Sequence, residues 1–179
     1  MSGRVLAVVG PSGAGKDTLL AGVCGPGGPH WVRRVITRAA TPGGEPFEGV
    51  DEATFLRRQA AGEFVLHWRA HGLAYGLPHA EFAPLAEGRD VIFNGSRAIL
   101  RQAARQFPGL RVILVTAPPE VLANRLAARG RETAAGIAER LAREAPLPEG
   151  LPVITIINDA TPEAGIARLR AALQASETR

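Results

Sequence analysis

Short apolar runs alternate with amphipathic segments along most of this 179-residue chain. Apolar, strand-like runs occupy residues 4–9, 90–94, 111–116 and 153–157, and a short run lies at 31–36. Helical spacing of apolar residues occurs at residues 16–23, 97–106, 119–129, 133–143 and 162–174. Strands that are apolar on both faces need helices on both sides of their sheet. The pattern therefore predicts an α/β fold with a parallel β-sheet flanked by helices.

One segment, at about residues 37–84, interrupts this alternation. It is rich in Gly and Pro, and it contains a short helical pattern near residues 51–61 and two β-like stretches at 64–69 and 73–77. Ligands of open α/β sheets bind outside the carboxyl ends of the strands. We therefore predict a small insertion at that edge, suited to a second substrate. The chain has no repeats and no long linker, so it is predicted to be a single domain over residues 1–179.

A glycine-rich run joins the first predicted strand to the first predicted helix. Its spacing, GxxxxGK, is that of a P-loop, in which backbone N–H groups cradle phosphates and the lysine reaches the β- and γ-phosphates. Lys16 is the only lysine among 21 basic residues, which indicates a role that the rigid arginine fork cannot fill. A chance turn is disfavoured because strand, loop, lysine and helix occur in the required order. The predicted phosphate-binding residues are Gly10, Pro11, Ser12, Gly13, Ala14, Gly15, Lys16, Asp17 and Thr18.

Asp17 stands where a P-loop normally has Ser or Thr, whose hydroxyl ligates Mg²⁺. The hydroxyl comes one residue later, at Thr18. Mg²⁺ in proteins commonly takes one or two carboxylates together with substrate phosphates and waters. We therefore predict that Asp17 and Thr18 form a Mg²⁺ site, directly or through a water molecule. The alternative is that Asp17 is only a favourable acid in the first turn of a helix.

The composition narrows the classes of partner. The net charge of +4 and the pI near 10.5 are compatible with nucleic-acid binding. However, the arginines are scattered along the sequence and aromatic residues make up only 5%. The basic charge therefore favours small phosphorylated substrates over nucleic acid. No apolar stretch is long enough to span a bilayer, and no signal peptide precedes the first strand. The lone Cys24 fits a reducing cytoplasm and a buried apolar role better than a nucleophilic one. The sequence does not indicate an oligomeric state.

Several motifs in the remaining chain resemble the guanylate kinase family. The resemblance covers nearly the whole chain and rests on the GPSGxGK loop, a T-R…G-E…G-x-D stretch, a Y-G pair, an apolar D-V-I strand and an arginine-rich lid. In this chain these motifs correspond to Gly10–Lys16, Thr37-Arg38, Gly44-Glu45, Gly49–Asp51, Tyr75-Gly76, Asp90–Ile92 and a lid at about residues 126–143. The resemblance implies a P-loop kinase fold in which the insertion binds the phosphoryl acceptor.

Three departures from the guanylate kinase pattern point to a narrower branch. No second arginine follows Thr37-Arg38, Leu77 replaces the hydroxyl residue expected after Tyr75-Gly76, and Asn94 replaces the aspartate expected at the strand end. Taken with the GKD, NGSR and RGRE motifs, the chain resembles the ribose 1,5-bisphosphate phosphokinases of bacterial phosphonate metabolism. This implies transfer of phosphate from ATP, with Mg²⁺, to ribose 1,5-bisphosphate, giving 5-phosphoribosyl 1-diphosphate (PRPP).

The resemblance also assigns roles to individual residues. Arg129, Arg131 and Arg140 of the lid would stabilise transition-state charge alongside Lys16, although a solvated helix face is the alternative. Arg125 and Asn158 would bind ATP; for Asn158 the alternative is a turn before the last helix. Arg38 and Arg97 each follow a predicted core strand, where acceptor phosphates would bind. The predicted acceptor-binding residues are Arg38, Glu45, Tyr75, Asn94 and Arg97.

Two other functions share many of these features. A nucleoside monophosphate kinase, such as guanylate kinase, would use nearly every phosphate-binding element, and only the missing guanine-reading residues argue against it. A non-catalytic guanylate-kinase-like binding module would usually have lost its P-loop, whereas this one is intact.

The P-loop assignment predicts the effect of replacing Lys16 with alanine. The change removes the point charge at the β- and γ-phosphates, so turnover measured by ADP release is expected to fall at least about a hundredfold. Thermal unfolding of the variant should be little changed. Near-normal turnover of Lys16→Ala would contradict the assignment.

Overall fold

The main sheet of the molecule is parallel and carries the P-loop at its centre. The computed structural model describes residues 3–39, 44–128 and 146–175. Five strands form this sheet in the order β2-β7-β1-β8-β9, and every neighbouring pair is parallel. The strands are β1 (Val5–Val9), β2 (His30–Trp31), β7 (Val91–Asn94), β8 (Arg111–Thr116) and β9 (Val153–Ile157). The predicted α/β class with a parallel sheet is confirmed.

Alternate residues of the central strand β1 enter two different cores. Leu6 and Val8 pack with α1 (Lys16–Val23), α4 (Pro119–Ala128) and the last helix, α5 (Pro162–Ala175). Val5, Ala7 and Val9 pack on the opposite face with α3 (Leu100–Gln106). Because strand side chains alternate between faces, a strand that is apolar at every position must be covered on both sides.

A second, four-stranded sheet forms most of the predicted insertion. Its order is β4-β3-β6-β5, with β3 and β4 parallel and the other pairs antiparallel. The strands are β3 (Arg34–Ile36), β4 (Phe47–Gly49), β5 (Phe64–Ala70) and β6 (Leu73–Pro78), and α2 (Glu52–Ala60) packs on them. Phe55 of α2 stacks on Phe64 of β5 with 4.9 Å between ring centroids. The insertion boundaries themselves, and the single-domain division, stay predictions.

Leu66 and Leu77 join the small sheet to the main one. Both side chains are buried in the same core as Phe93 of β7 and Val9 of β1. The two sheets therefore share apolar contacts, in addition to the small cluster that Val35, Phe55, Phe64 and Ala74 form within the insertion.

The predicted strand at residues 31–36 is wrong in its extent. The chain leaves the main sheet after Trp31, and Arg34–Ile36 pairs instead with β4 and β6 of the small sheet. Arg33 and Arg34 interrupt the apolar residues at the crossing, but two adjacent arginines do not by themselves show that the residues on either side join different sheets. Arg38 was predicted to follow a strand of the main sheet. It follows β3 of the small sheet instead.

Other predicted elements differ in smaller ways. The helix predicted at 97–106 begins as a 3₁₀ turn, Arg97–Ile99, before α3, and β4 was not predicted at all. A 3₁₀ helix, His79–Glu87, follows β6. The helix predicted at 133–143 lies outside the described residues. Within the described ranges, no helix is long and apolar enough to cross a membrane.

An ion pair fastens the starts of two neighbouring strands at the end of the sheet away from the P-loop. The backbone N–H of Arg4 donates to Asp90 Oδ1 at 2.7 Å, its Nε donates to both Asp90 oxygens at 3.1 Å, and its Nη2 donates to Oδ2. Arg4 Nη1 also donates to the carbonyl of Leu173 in α5 at 3.1 Å. Burial by itself raises the pKa of Asp90, but the bonds and charge of Arg4 outweigh it, so the pKa lies below its usual value.

The lowered pKa of Asp90 predicts how Asp90→Asn changes stability with pH. Because the folded pKa is below that of the unfolded chain, the stabilisation is complete above about pH 4 and is lost as the pH falls through the folded value. At pH 7 we expect Asp90→Asn to cost about 1–2 kcal/mol of unfolding free energy, measured by urea denaturation.

The control for this measurement is Glu87→Gln, at an exposed acid near Asp90 in sequence. The difference in unfolding free energy between Asp90→Asn and the unsubstituted protein should disappear as the pH falls below about 4. Glu87→Gln should differ little from the unsubstituted protein at any pH. A gap that stayed constant down to pH 3 would contradict the ion-pair interpretation.

Candidate active site at the P-loop

The P-loop is packed against the main sheet with no spare room. Gly10 follows β1 with φ of +148°, and a Cβ on it would lie 1.9 Å from the carbonyl oxygen of Val115 in β8. Gly15 has φ of +87° and caps α1, and a Cβ there would lie 2.6 Å from Asn158 Nδ2. These glycines let the backbone approach its neighbours closely and hold the loop's N–H groups at the helix N-terminus, where anions are favoured.

Lys16 is held across the loop that it terminates. Its ammonium donates to the carbonyl oxygens of Gly10 at 2.8 Å and Pro11 at 2.9 Å. These bonds set the charge over the concave side of the loop. A cation on a flexible stem can then exchange a carbonyl contact for a phosphate oxygen without rebuilding the loop.

Asn158 supports the loop from the end of β9. Its side chain is only 5% exposed, and Nδ2 donates to the carbonyl oxygen of Ala14 at 2.8 Å. Its backbone N–H donates to Thr116 O at 2.7 Å, which fixes the residue to β8. Gly165 of α5 lets this side chain fit, because a Cβ at that position would lie 2.4 Å from Asn158 Oδ1. The contact with ATP predicted for Asn158 stays a prediction, whereas its contact with the P-loop backbone is direct.

Asp17 and Asn94, two of the residues that depart from the expected patterns, are in contact. Asn94 Nδ2 donates to Asp17 Oδ1 at 3.0 Å. Asn94 ends β7 and is 6% exposed, whereas Asp17 is half-buried and Thr18 is exposed. Asp17 Oδ2 accepts no hydrogen bond from the described residues, and the exposed Thr18 follows it in the first turn of α1.

Glu45 lies on the other side of Asn94 and is bound by a buried arginine. Arg34 Nε donates to Glu45 Oε1 at 2.5 Å and its Nη2 donates to Oε2, to which Asn94 Nδ2 also donates at 3.4 Å. Glu45 is 7% exposed and Arg34 8% exposed. Burial raises the pKa of Glu45, Arg34 opposes this rise, and the charge of Asp17 adds to it.

Two other predicted acceptor residues, Tyr75 and Arg38, lie beside this pair, whereas Arg97 lies at the start of the turn after β7. The Arg34 guanidinium is 5.0 Å from the ring centroid of Tyr75, which stacks on Trp68 at 5.2 Å. Arg38 is exposed and lies 4.5 Å over the ring of Phe47, and its charge slightly opposes the rise in the pKa of Glu45. Arg97 is half-buried at the start of the 3₁₀ turn after β7. Leu77 is fully buried in the core and offers no group to a ligand.

Of the predicted lid, the structure describes only the beginning. Arg125 of α4 donates from Nη1 to the carbonyl of Gly13 at 3.4 Å, so it reaches the P-loop. The other predicted catalytic arginines, Arg129, Arg131 and Arg140, lie outside the described residues, as does most of the 126–143 segment. Their roles stay predictions.

Sequence reasoning missed Arg34 and the packing role of Gly165. An arginine inside an apolar, strand-like run is a signal of a buried ion pair, because a buried charge needs a partner. Glycine inside a helical pattern is a signal of close approach. Cys24 is half-buried at the end of α1, where burial raises the pKa of its thiol to about 12 despite the charge of Arg89, in line with the predicted non-nucleophilic role.

Similarity to a solved structure defines the fold class. The guanylate kinase from Anaplasma phagocytophilum superposes with a TM-score of 0.73 at 22% identity, covering 99% of this chain and 88% of that one. With the P-loop between β1 and α1, the chain has the guanylate-kinase-like P-loop kinase fold, as predicted. No protein-family model matches the chain.

Curated relatives define the family within that class. The ribose 1,5-bisphosphate phosphokinase PhnN of Ruegeria sp. (strain TM1040) is 50% identical over 178 residues, covering 97% of this chain and 93% of the relative. That of Methylobacterium radiotolerans is 45% identical, covering 98% and 99%. The chain belongs to the ribose 1,5-bisphosphate phosphokinase family. This confirms the predicted family.

Some relatives are much longer than this chain. The bifunctional ribose 1,5-bisphosphokinase-thymidine phosphorylase of Cupriavidus necator is 49% identical over 176 residues, which is 97% of this chain but 29% of that protein. The chain thus spans less than a third of the bifunctional relatives that it matches.

The contact of Asn158 with the P-loop predicts the effect of Asn158→Ala. Ala14 O loses its donor and the buried side chain leaves a cavity, so we expect ADP to bind about tenfold more weakly and thermal stability to fall. Isothermal titration of ADP and a melting curve measure the two effects. Thr155→Ala, at an exposed residue of the same strand, is the control and should change neither. Normal ADP binding by Asn158→Ala would contradict the supporting role.

Proposed function

We propose that the protein transfers the γ-phosphoryl group of ATP to the 1-phosphate of ribose 1,5-bisphosphate, giving PRPP, as part of phosphonate metabolism. The observation that carries this proposal is identity of 45–50% to single-function relatives of that name over almost the whole chain, acceptor insertion included. We also propose that the protein acts in the cytoplasm. Its partners in this proposal are the small-molecule substrates, and it binds neither nucleic acid nor a membrane.

The chemistry of a phosphate acceptor suits the charges at this site. An anomeric phosphate is ionised at neutral pH, so its oxygen can attack the γ-phosphorus without a general base. The main barrier is the repulsion between the negative charges of ATP and of the acceptor, which fixed positive charge reduces. A sugar hydroxyl would instead need a carboxylate within hydrogen-bond reach. In the described part of the site, Glu45 is buried against Arg34 and Asp17 is held by Asn94. Neither carboxylate is placed as an obvious base.

Basic side chains lie on both the nucleotide side and the acceptor side of the site. Lys16 and Arg125 lie at the P-loop, on the nucleotide side. Arg38 is exposed beside the small sheet, and Arg97 follows β7 at the carboxyl edge of the main sheet. We assign the first two to ATP and the second two to acceptor phosphates. Arg129, Arg131 and Arg140 would add charge from the lid in the transition state.

The residues at the start of α1 fit a Mg²⁺ ion carried by ATP. Asp17 Oδ2 accepts no hydrogen bond from the described residues, and Thr18 is exposed. In the described ranges no group of three or more His, Cys, Asp or Glu side chains could hold a metal by itself, which agrees with an ion bound mainly by phosphates and waters. Asp17 and Thr18 would hold the ion, which neutralises charge on the β- and γ-phosphates when bound. The predicted Mg²⁺ site remains a proposal.

Guanylate kinase activity is the second candidate because the fold is shared with that enzyme. It would require side chains that read the polar edge of a purine. The position after Tyr75-Gly76 is Leu77, and its side chain is fully buried. A site without polar partners for a base should discriminate against it strongly.

An ADP-release assay with a panel of acceptors tests the proposal. We expect ribose 1,5-bisphosphate to be phosphorylated at least about a hundredfold more efficiently, in kcat/KM, than GMP, AMP or ribose 5-phosphate. Ribose 5-phosphate serves as the control, because it lacks the anomeric phosphate and offers a hydroxyl instead. If GMP is the better acceptor, the second candidate is correct; if ribose 5-phosphate is, the phosphate-acceptor chemistry is wrong.

A further inference from the structure

A line of four polar side chains connects the small sheet with the P-loop. It runs from Arg34 on β3 through Glu45 and Asn94 to Asp17 on α1, and each neighbouring pair is hydrogen-bonded. Arg34, Glu45 and Asn94 are each less than a tenth exposed. We call these three residues the buried chain. Asp17, which lies next to Asn94 at the P-loop end of the line, is half-buried.

The amide of Asn94 is needed in this arrangement because it donates to two neighbouring carboxylates. Its Nδ2 donates to Asp17 Oδ1 at 3.0 Å and to Glu45 Oε2 at 3.4 Å, so one amide group separates two carboxylates. A carboxylate at this position would put like charges at both of these distances with no donor between them. The amide allows Asp17 and Glu45 to remain close together while Arg34 balances one of their charges.

Glu45 is poorly placed to bind an acceptor directly. Both of its oxygens accept from Arg34 and one also accepts from Asn94. Replacing these partners with a substrate group would leave the Arg34 guanidinium buried without its counter-charge, which is strongly unfavourable. The burial and the bonds instead make Glu45 a fixed acceptor that orients the Asn94 amide.

We propose that Arg34, Glu45 and Asn94 are positioning residues for Asp17. The buried chain fixes Asp17 Oδ1 toward Asn94 and turns Oδ2 toward the ATP-bound metal ion. Glu45 acts through Asn94, which it holds in the orientation that donates to Asp17. This inference rests on the proposed function only in taking Asp17 as the residue that faces the metal ion. It replaces the predicted acceptor-binding role of Glu45 and Asn94.

The test measures metal binding without turnover. Mn²⁺ replaces Mg²⁺, and the dissociation constant of Mn²⁺ from the protein–ADP complex is read from the electron paramagnetic resonance signal of unbound Mn²⁺. Loss of a group that orients a metal ligand typically weakens metal binding about 10–100-fold. We expect Asp17→Asn and Asn94→Leu each to weaken Mn²⁺ binding about tenfold or more, and Glu45→Gln to weaken it about threefold.

A double variant tests whether Glu45 acts through Asn94. If it does, adding Glu45→Gln to Asn94→Leu should change Mn²⁺ binding no further, because the path to Asp17 is already broken. Glu48→Gln is the matched control, since Glu48 lies on β4 and pairs with Arg58 away from this line. It should leave Mn²⁺ binding unchanged.

Arg34→Met/Glu45→Leu keeps the test decisive if Glu45→Gln folds poorly. Replacing a whole buried ion pair with apolar side chains of similar size commonly preserves the fold. This variant should keep a melting temperature close to that of the unsubstituted protein. It should still weaken Mn²⁺ binding about threefold or more, because Asn94 loses the acceptor that orients it.

Several results would overturn the inference. Unchanged Mn²⁺ binding with a raised KM for ribose 1,5-bisphosphate in Asn94→Leu and Glu45→Gln would make both residues acceptor ligands. Fully multiplicative effects in the double variant would show that Glu45 acts independently of Asn94. Unchanged Mn²⁺ binding in Asp17→Asn would remove both the metal assignment and the inference. In that case the acceptor preference would still be decided separately by the panel of acceptors.

Discussion

The attachment of the P-loop and the first turn of α1 to the carboxyl ends of the neighbouring strands is the constraint on which the rest of the site depends. Gly10 approaches the backbone of β8 too closely for any side chain, and Asn158 at the end of β9 bonds the loop at Ala14. Asn94 at the end of β7 reaches the first turn of α1. The loop is therefore held by the sheet on both sides of β1. Donors that are oriented in advance need no reorganisation when charge develops on a phosphate.

The main sheet and the P-loop could be predicted from the sequence because each depends on local pattern. Continuous apolar runs identified β1, β7, β8 and β9, and the GxxxxGK spacing identified the loop between β1 and α1. The fold class and the family were both confirmed. The division of residues 31–36 between the two sheets could not be predicted, because only long-range strand pairing decides which sheet each half of the run joins.

The polar contacts of the site could be predicted only in part. Asp17 was identified as a departure from the P-loop pattern and Asn94 as a departure from the guanylate kinase pattern, but their hydrogen bond depends on β7 lying next to β1. Arg34 was missed because hydropathy gives no reason to expect a buried arginine. Its partner Glu45 lies eleven residues away in a loop, so local pattern does not reveal the pair either. Asn158 was placed at the correct sheet edge, but its contact with Ala14 joins residues that are far apart in sequence. Such contacts follow from tertiary packing and not from local pattern.

The burial of Leu77 links substrate choice to the integrity of the fold. In the guanylate kinase pattern this position carries a hydroxyl that helps to read a base, whereas here the side chain fills a core shared by both sheets. A hydroxyl introduced at this point would be buried without water and would leave a cavity among its apolar neighbours. Natural or laboratory evolution toward a nucleotide acceptor would thus have to repack the junction between the sheets. A single substitution at Leu77 would not be enough, so in this protein a change of acceptor at this position carries a cost in stability.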